Sequence, residues 1–346
     1  MSLGATIVAS LLATLARPTT WVLALVAFLV RGGLIVVLAP IVVIPSAVGL
    51  ANVVAPTLNS MVLSGLSSEV LAFIALAIVA VGAWLVVGGF LAATMELAGM
   101  RLVAADEEVV GSMLPGPGPS SHPRTTGPAV GTAIRILLAR LLASIPLALA
   151  LALGAIRIVA VAYRELTVPS DVAVPVAVRI ARGAPDAVAL IVAAWIVAEI
   201  VGAVAARRVA IHGQGLRVGL IGAISDVVRH PVRVLVAFML PLLALIAVLV
   251  PSTAAAVVTW DAVRTALSGD PGPLTVGVLV LLFVALWTGG LVLTGMVAAW
   301  RSALWTVEVT RTFGGVSTGR PGGWNPAPDS ATLSDLRSRE ADPDPR

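Results

Sequence analysis

The chain has 346 residues, of which 59% are hydrophobic and only 12% are charged, and its mean hydropathy is +1.04. Soluble domains carry about 25% charged residues, so this composition excludes an ordinary soluble globular protein. The net charge of +4 is too small to indicate a nucleic-acid partner, and the absence of cysteine excludes disulfides and thiol chemistry.

Hydropathy predicts six membrane-spanning segments, because several apolar runs reach the roughly 20 residues that cross a ~30 Å hydrocarbon core. Backbone groups in lipid must be satisfied internally and the runs are too long for barrel strands, so the spans are predicted to be helices. The predicted fold class is an all-α integral membrane protein with six transmembrane helices in a lipid bilayer. The predicted spans are Trp21–Val43, Val70–Met95, Leu141–Val161, Ala187–Ala206, Leu235–Val250 and Leu274–Ala299.

The placement of arginine predicts the orientation of these spans, since all 22 basic residues are arginine. Sixteen arginines fall in segments that are inner when both chain ends are cytoplasmic, and four fall in the outer loops. Cytoplasmic loops carry the excess of positive charge. The sequence therefore predicts a multi-pass protein with cytoplasmic N- and C-termini.

Three similar triplets end long apolar runs, "IPS" at 44–46 and "VPS" at 168–170 and 250–252. Proline stops a helix and serine can cap the next one, so each triplet predicts the outer end of a span. The stretches that follow are too polar to span and too apolar for free coil. They are predicted to be short amphipathic helices in the outer interface, each closed by a glycine such as Gly183.

The inner side repeats as well, because "LARPTTW" before the first span resembles "VVRHPVRVL" before the fifth. Proline is tolerated in the first turn of a helix, so both stretches predict a break between an amphipathic lead-in helix and a span. A unit of lead-in helix, span, outer helix and span is therefore predicted three times, in about residues 1–102, 131–212 and 213–312.

Two segments lie outside this six-span domain of residues 1–312. Residues 103–130 are rich in Pro, Gly and Ser, and residues 313–346 are polar. Both are predicted to be disordered and cytoplasmic, as a linker and a tail.

Charged residues at depth are the candidates for function, because centring an arginine or an acid in a bilayer costs about 3 kcal/mol. Arg31 lies ten residues after Trp21, about 15 Å into the bilayer, and Glu199 lies eight residues before Arg207, about 12 Å from the same side. Their similar depths predict an Arg31–Glu199 pair between the first two hairpins. The pair is either part of a polar cavity or conduction path, or a structural lock.

Two further candidate polar residues, Glu96 and Arg157, are predicted to lie nearer the span ends and to reach water with their side chains. Glycine pairs at 88–89 and 289–290 lie near mid-depth. Small residues let helices approach closely, and the alternative is a broken-helix substrate site.

No catalytic or metal constellation is found. His122 is in the linker, and His212 and His230 lie among arginines, where the several convergent ligands of a metal site are lacking. No Ser-His-acid spacing and no phosphate-binding loop stands out. The sequence therefore predicts no enzyme activity, no metal and no cofactor.

The lead-in helix, proline break and hairpin plan, carried by "LARPTTW" and "VVRHPVRVL", resembles a set of bacterial six-span membrane proteins. They include the membrane domain of some glycerophosphodiester phosphodiesterases and its stand-alone relatives. In that group catalysis belongs to a separate soluble barrel. The resemblance therefore implies no enzyme activity here and supplies no site residues.

Two functions remain open at this point. The first is a non-enzymatic scaffold, a partner subunit for another membrane protein, or a lipid-associating module of the bacterial cytoplasmic membrane. The alternative is a transporter of a small solute or lipid, with its binding site at the level of Arg31 and Glu199.

Overall fold

The computed structural model describes residues 3–38, 41, 67–113, 129–171, 173–269 and 272–310, and these residues are helical with no strands among them. Their first half contains α1 (Leu3–Ala16), α2 (Pro18–Phe28), the π-helical segment π1 (Leu29–Gly33), α3 (Leu34–Leu38), α4 (Ser68–Ala83), the π-helical segment π2 (Trp84–Gly88) and α5 (Gly89–Met113). Their second half contains α6 (Ala129–Ala143), α7 (Ile145–Thr167), α8 (Val176–Gly183), α9 (Pro185–His212), α10 (Leu216–Arg229), α11 (Pro231–Ser268) and α12 (Pro273–Glu308).

Within the described residues, six helical stretches are long and apolar enough to cross a membrane, in agreement with the predicted number of spans. Five of them are longer than predicted, because the helices continue beyond the apolar runs into more polar sequence. The stretches are Pro18–Leu38, Ser68–Ala105, Ala129–Thr167, Pro185–His212, Pro231–Ser268 and Pro273–Glu308.

The proline breaks lie where the sequence predicts them. Helix α1 ends at Ala16 and α2 begins at Pro18, while α10 ends at Arg229 and α11 begins at Pro231. A third break separates α6 from α7, whose first turn contains Pro146. Because proline lacks a backbone N–H, it fits the first turn of a helix, where that donor has no partner within the helix.

The two described "VPS" triplets behave differently. Helix α7 ends at Thr167 and α8 at Gly183, as predicted, and the backbone N–H and hydroxyl of Ser170 both donate to Glu165 Oε2, at 3.1 and 2.7 Å. By contrast, α11 continues through Pro251 to Ser268, so the prediction that Pro251 ends the fifth span is wrong.

Several predicted features fall on other parts of the chain. The triplet at 44–46 with its outer helix, residues 114–128 of the predicted linker together with His122, and the tail from residue 313 lie outside the described residues. Helix α5 reaches Met113 and so extends into the segment predicted as a linker.

Most of the buried core lies at one end of the bundle. Here α1, α6 and α10 pack against the last turns of α5, α9 and α12 and the first turns of α11. We call this the lead-in end. The opposite end, formed by residues 68–83, 153–171, 173–186, 256–269 and 272–287, has a small cluster around Phe283 between α11 and α12.

The glycine pairs mark close helix contacts. An added Cβ would lie 3.1 Å from Val30 Cγ1 at Gly88, 2.7 Å from a Leu137 methyl at Gly89 and 2.8 Å from Ser252 Cβ at Gly290. Gly289 has open space beside it. Three of the four glycines thus lie at close contacts with neighbouring helices, as the first interpretation predicts.

Candidate functional site

A cavity of about 320 Å³ lies between α2, α5, α6, α9, α11 and α12 near the lead-in end. Part of its wall is apolar, with Leu23, Ala27 and Phe28 from α2 and Leu242 and Leu245 from α11. The rest of the wall includes charged side chains. Its charged lining residues are Arg31, Glu96, Arg140, Glu199, Arg207 and Arg301.

Glu96 lies at the centre of this charged cluster and its side chain is only 4% exposed. Arg140 donates two hydrogen bonds to it, from Nε to Oε2 at 3.0 Å and from Nη2 to Oε1 at 2.5 Å. Arg31 donates to Oε2, and Arg207 donates from Nη1 to Oε1 at 3.3 Å. Three arginines from three helical elements therefore share one buried carboxylate.

Glu199 is the second carboxylate of the cluster. Arg301 donates to its Oε1 from Nη2 at 2.8 Å, and Arg140 Nη1 lies 3.7 Å from the same oxygen. Arg140 therefore bridges the two carboxylates. The Arg301 guanidinium also lies over the Phe238 ring, 5.7 Å from its centroid, which is within the range of a cation–π contact.

Arg207 is the most deeply buried of the four arginines, with a side chain 2% exposed. Besides Glu96, it donates to the carbonyl of Ala203 at 2.9 Å and to the carbonyl and hydroxyl of Ser302 at 3.1 and 3.2 Å. Its Nε is buried and has no hydrogen-bond partner among the described residues. A buried donor without an acceptor is costly.

The helical spacing of α9 explains how one helix contributes so much of the wall. Trp195, Glu199, Ala203 and Arg207 recur every four residues and all line the cavity. Residues at this spacing lie on one face of a helix. Ala203 lies between Glu199 and Arg207 on this face and has a small side chain.

Irregular backbone lies near the site in three other helical stretches. Arg31 lies within π1, where Gly32 has a φ of 112°, a conformation that favours glycine. Gly88 of π2 packs against Val30 of π1, so the two π-helical segments contact each other. Pro241, inside α11, also lines the cavity. Single π-helical turns are frequent at functional sites.

The charges in the cavity do not balance. Four arginines face two glutamates, so the described lining residues carry two positive charges in excess. Each arginine is expected to stay protonated, because a guanidinium is too strong a base to lose its proton in a protein. The cavity is therefore electropositive within a mostly apolar bundle.

The sequence identified two members of this cluster, but not their partners. Arg31 and Glu199 line the same cavity, yet Arg31 pairs with Glu96, and Glu199 pairs with Arg301 and Arg140 instead of with Arg31. Glu96 does not reach water, so that prediction is wrong: α5 continues well beyond it, which places it among packed helices.

Arg157 lies outside the cluster. Its side chain is 58% exposed and its Nε lies 2.9 Å from Asp186 Oδ1.

Sequence reasoning missed Arg140, Arg207 and Arg301, because arginine near a predicted inner boundary is the ordinary pattern of a membrane protein. The eight-residue spacing of Glu199 and Arg207 is the signal that could have identified Arg207.

The six candidate spans place the chain in the class of multi-pass α-helical membrane proteins. Comparison with models of protein families, with curated proteins and with solved structures finds no match. What the protein binds must therefore be inferred from the cavity.

Proposed function

We propose that the protein is a membrane carrier for an anionic small solute or lipid headgroup, and that its site is the charged cavity. The observation that supports this most is the excess of two arginines over glutamates around a cavity that reaches Arg31. A scaffold has no need of an open, electropositive space in its core. An anion bound by Arg31, Arg140, Arg207 and Arg301 would fill that space.

Energetics support an anionic ligand. An arginine held in the apolar part of a membrane costs about 3 kcal/mol on insertion scales, and a carboxylate partner offsets part of that cost. The four arginines share two carboxylates here, so two positive charges are not compensated. A bound anion would compensate this remaining charge. The empty site would be stable enough for the protein to fold, and its uncompensated charge would favour ligand binding.

Carriers need helices that can change shape at the binding site, and broken helices are common there. The π-helical segments π1 and π2 and the internal Pro241 of α11 meet this requirement. Each interrupts the regular i to i+4 hydrogen-bond pattern next to the cavity. We propose that these points are where the bundle bends when the ligand enters or leaves.

The setting of this carrier is also a proposal. We place it in the bacterial cytoplasmic membrane with both chain ends cytoplasmic, as the arginine distribution supports. We further propose that its helices form three repeated hairpins of about residues 1–102, 131–212 and 213–312, and that it is related to the phosphodiesterase membrane domain it resembles. Because the chain has no cysteine, single cysteines placed in α10 and α8 can test the orientation by labelling from either side.

The direct test is anion binding to the purified protein in a non-ionic detergent. Inorganic phosphate, sulfate and formate are titrated into the wild type, Arg301→Gln and Arg140→Gln, with Arg157→Gln as the matched control outside the cavity. Both cavity variants should weaken binding at least tenfold, and the control should bind as the wild type does. Binding of none of the anions, or an equal loss in the control, would overturn the proposal.

A variant of opposite sign separates binding from misfolding. Glu199→Gln leaves four arginines against one glutamate and should tighten anion binding several-fold. A damaged fold cannot produce tighter binding. If Glu199→Gln weakens binding as Arg301→Gln does, Glu199 holds the site together and does not compete with the ligand.

The second candidate, a subunit that associates with another membrane protein, rests on α4. None of its 16 residues is buried against the rest of the chain. In a carrier that acts alone this helix faces lipid. A spin label at Ile78→Cys, which is 67% exposed, distinguishes the two, because collisions with oxygen dissolved in lipid are frequent on a lipid-facing helix and rare in a protein interface.

A further inference from the structure

We infer that the ligand of the charged cavity is a phosphate monoester, with the doubly charged phosphoryl group against the arginines and the esterified carbon group against the apolar wall. This inference rests on the proposed anion-binding function and specifies its ligand. It follows from three properties of the cavity: its excess charge, its unused hydrogen-bond donors and its mixed lining of charged and apolar residues.

The charge argument concerns the number of negative charges that the site can accept. The two surplus arginine charges are matched by a ligand of charge −2 and only half matched by one of charge −1. A phosphate monoester carries about −1.5 to −2 near neutral pH. Phosphodiesters and carboxylates carry one negative charge, and would leave one arginine charge uncompensated in the bundle.

The donor argument concerns the acceptors that the protein itself supplies. Four guanidinium groups carry about twenty N–H donors. The described residues use them in eight hydrogen bonds, five of which go to the two glutamates. A phosphoryl group offers three strong acceptor oxygens, and the planar guanidinium matches their geometry.

The shape argument concerns what lies beside the phosphoryl group. A phosphoryl group alone is much smaller than the cavity of about 320 Å³. The remaining space faces Leu23 and Phe28 of α2 and Leu242 and Leu245 of α11, so it suits a carbon group. The same chemistry is found in a soluble phosphate monoester and in the headgroup of a phosphatidic-acid-type lipid.

The matched probes are methyl phosphate and dimethyl phosphate, which share a phosphorus centre but differ by one negative charge. Calorimetric titration of the full-length protein in a non-ionic detergent at pH 7.5 should show methyl phosphate binding at least tenfold more tightly. Glu199→Gln should tighten methyl phosphate binding, Arg301→Gln should weaken it at least tenfold, and Arg157→Gln should leave it unchanged.

A second arm identifies the source of the monoester. The protein is reconstituted in phosphatidylcholine nanodiscs containing either phosphatidic acid, a monoester, or phosphatidylglycerol, a diester, and its retained lipids are measured by native mass spectrometry. Selective retention of phosphatidic acid that methyl phosphate displaces supports the inference with a lipid headgroup as the ligand. Methyl phosphate binding without lipid retention supports it with a soluble ligand.

Two outcomes would overturn the inference, and they differ in what else they remove. Equal affinity for methyl and dimethyl phosphate, with the arginine variants still weakening both, rejects the double charge but leaves the anion carrier intact. Binding of neither probe, nor of phosphate, sulfate or formate, rejects the ligand and the proposed function together.

Discussion

The two ends of the bundle differ in how far their large side chains are buried within the protein. At the lead-in end the large side chains Trp305, Arg207, Phe238 and Met100 are almost fully buried. At the opposite end large apolar side chains remain exposed, as with Ile156 at 80%, and α4 buries none of its residues. The apolar end can rely on lipid, since lipid tails solvate apolar side chains as well as another helix does.

The comparison explains why the candidate site lies where it does. In lipid, helices associate through close packing and polar contacts, because no hydrophobic force acts between them. The charged cluster supplies such contacts among π1, α5, α6, α9 and α12, and all of its members lie at the packed end. The same residues that hold the helices together therefore also surround the cavity.

The largest difference between the ends should appear when the central carboxylate is neutralised. Glu96→Gln leaves Arg31, Arg140 and Arg207 without the carboxylate they share and should cost about 3–5 kcal/mol in the free energy of unfolding. Glu69→Gln, at the exposed start of α4, should cost less than about 0.5 kcal/mol. Unfolding by increasing fractions of dodecyl sulfate in mixed micelles measures both. Equal costs would mean that the cluster is well solvated.

A matched pair of phenylalanines tests packing without charge. Phe238 is fully buried, contacts the Trp195 ring edge-on at a centroid distance of 5.8 Å, and lies beneath Arg301. Phe73 is 72% exposed at the opposite end. Phe238→Ala should cost about 3 kcal/mol, because it leaves a cavity between α9 and α11. Phe73→Ala should change the unfolding free energy by less than about 0.5 kcal/mol in the same micelles.

Two arginine–aspartate pairs repeat the comparison for ion pairs. Arg208 and Asp226 at the lead-in end are each 9% exposed, and Arg208 Nη2 lies 2.6 Å from Asp226 Oδ2. Arg157 and Asp186 are more than half exposed. Asp226→Asn should cost about 2 kcal/mol because a buried charged hydrogen bond is lost, whereas Asp186→Asn should cost less than about 1 kcal/mol. Raising the salt concentration should weaken only the exposed pair, and equal salt sensitivity would contradict the difference in burial.

How much of the fold and of the candidate site could be predicted from the sequence depends on how far apart along the chain the interacting residues lie. The number of spans and the breaks at Pro18 and Pro231 are local properties of hydropathy and of the missing proline N–H, and both predictions are confirmed. The same rule fails at Pro251, because membrane helices tolerate an internal proline. There α11 stays helical, with the hydroxyl of Ser252 donating to the carbonyl of Val248 at 2.6 Å.

For a related reason, only some residues of the site could be predicted from the sequence. The depth of Arg31 and Glu199 can be counted along the chain, and both residues line the cavity. Their partners depend on how helices rotate and pack, which no local pattern encodes. Arg140 and Arg301 could not be told from ordinary inner-surface arginines. Glu96 was misplaced because the apolar run ends near Met95 while the helix does not.

The smallest expected changes in the free energy of unfolding come from replacing two glycines on α12. These changes should have opposite signs at the two ends of the bundle. At Gly295 an added Cβ would lie 2.9 Å from the backbone oxygen of Trp21, which cannot move aside as a side chain can. Strain of this kind costs about 1–3 kcal/mol, and the better helix propensity of alanine returns up to about 1 kcal/mol, so Gly295→Ala should cost about 1 kcal/mol. At Gly277 no atom lies within 4 Å of the added Cβ, so Gly277→Ala should stabilise the protein slightly. Unfolding in mixed micelles compares the two variants directly, and stabilisation by both would show that α2 and α12 are not locked at Gly295.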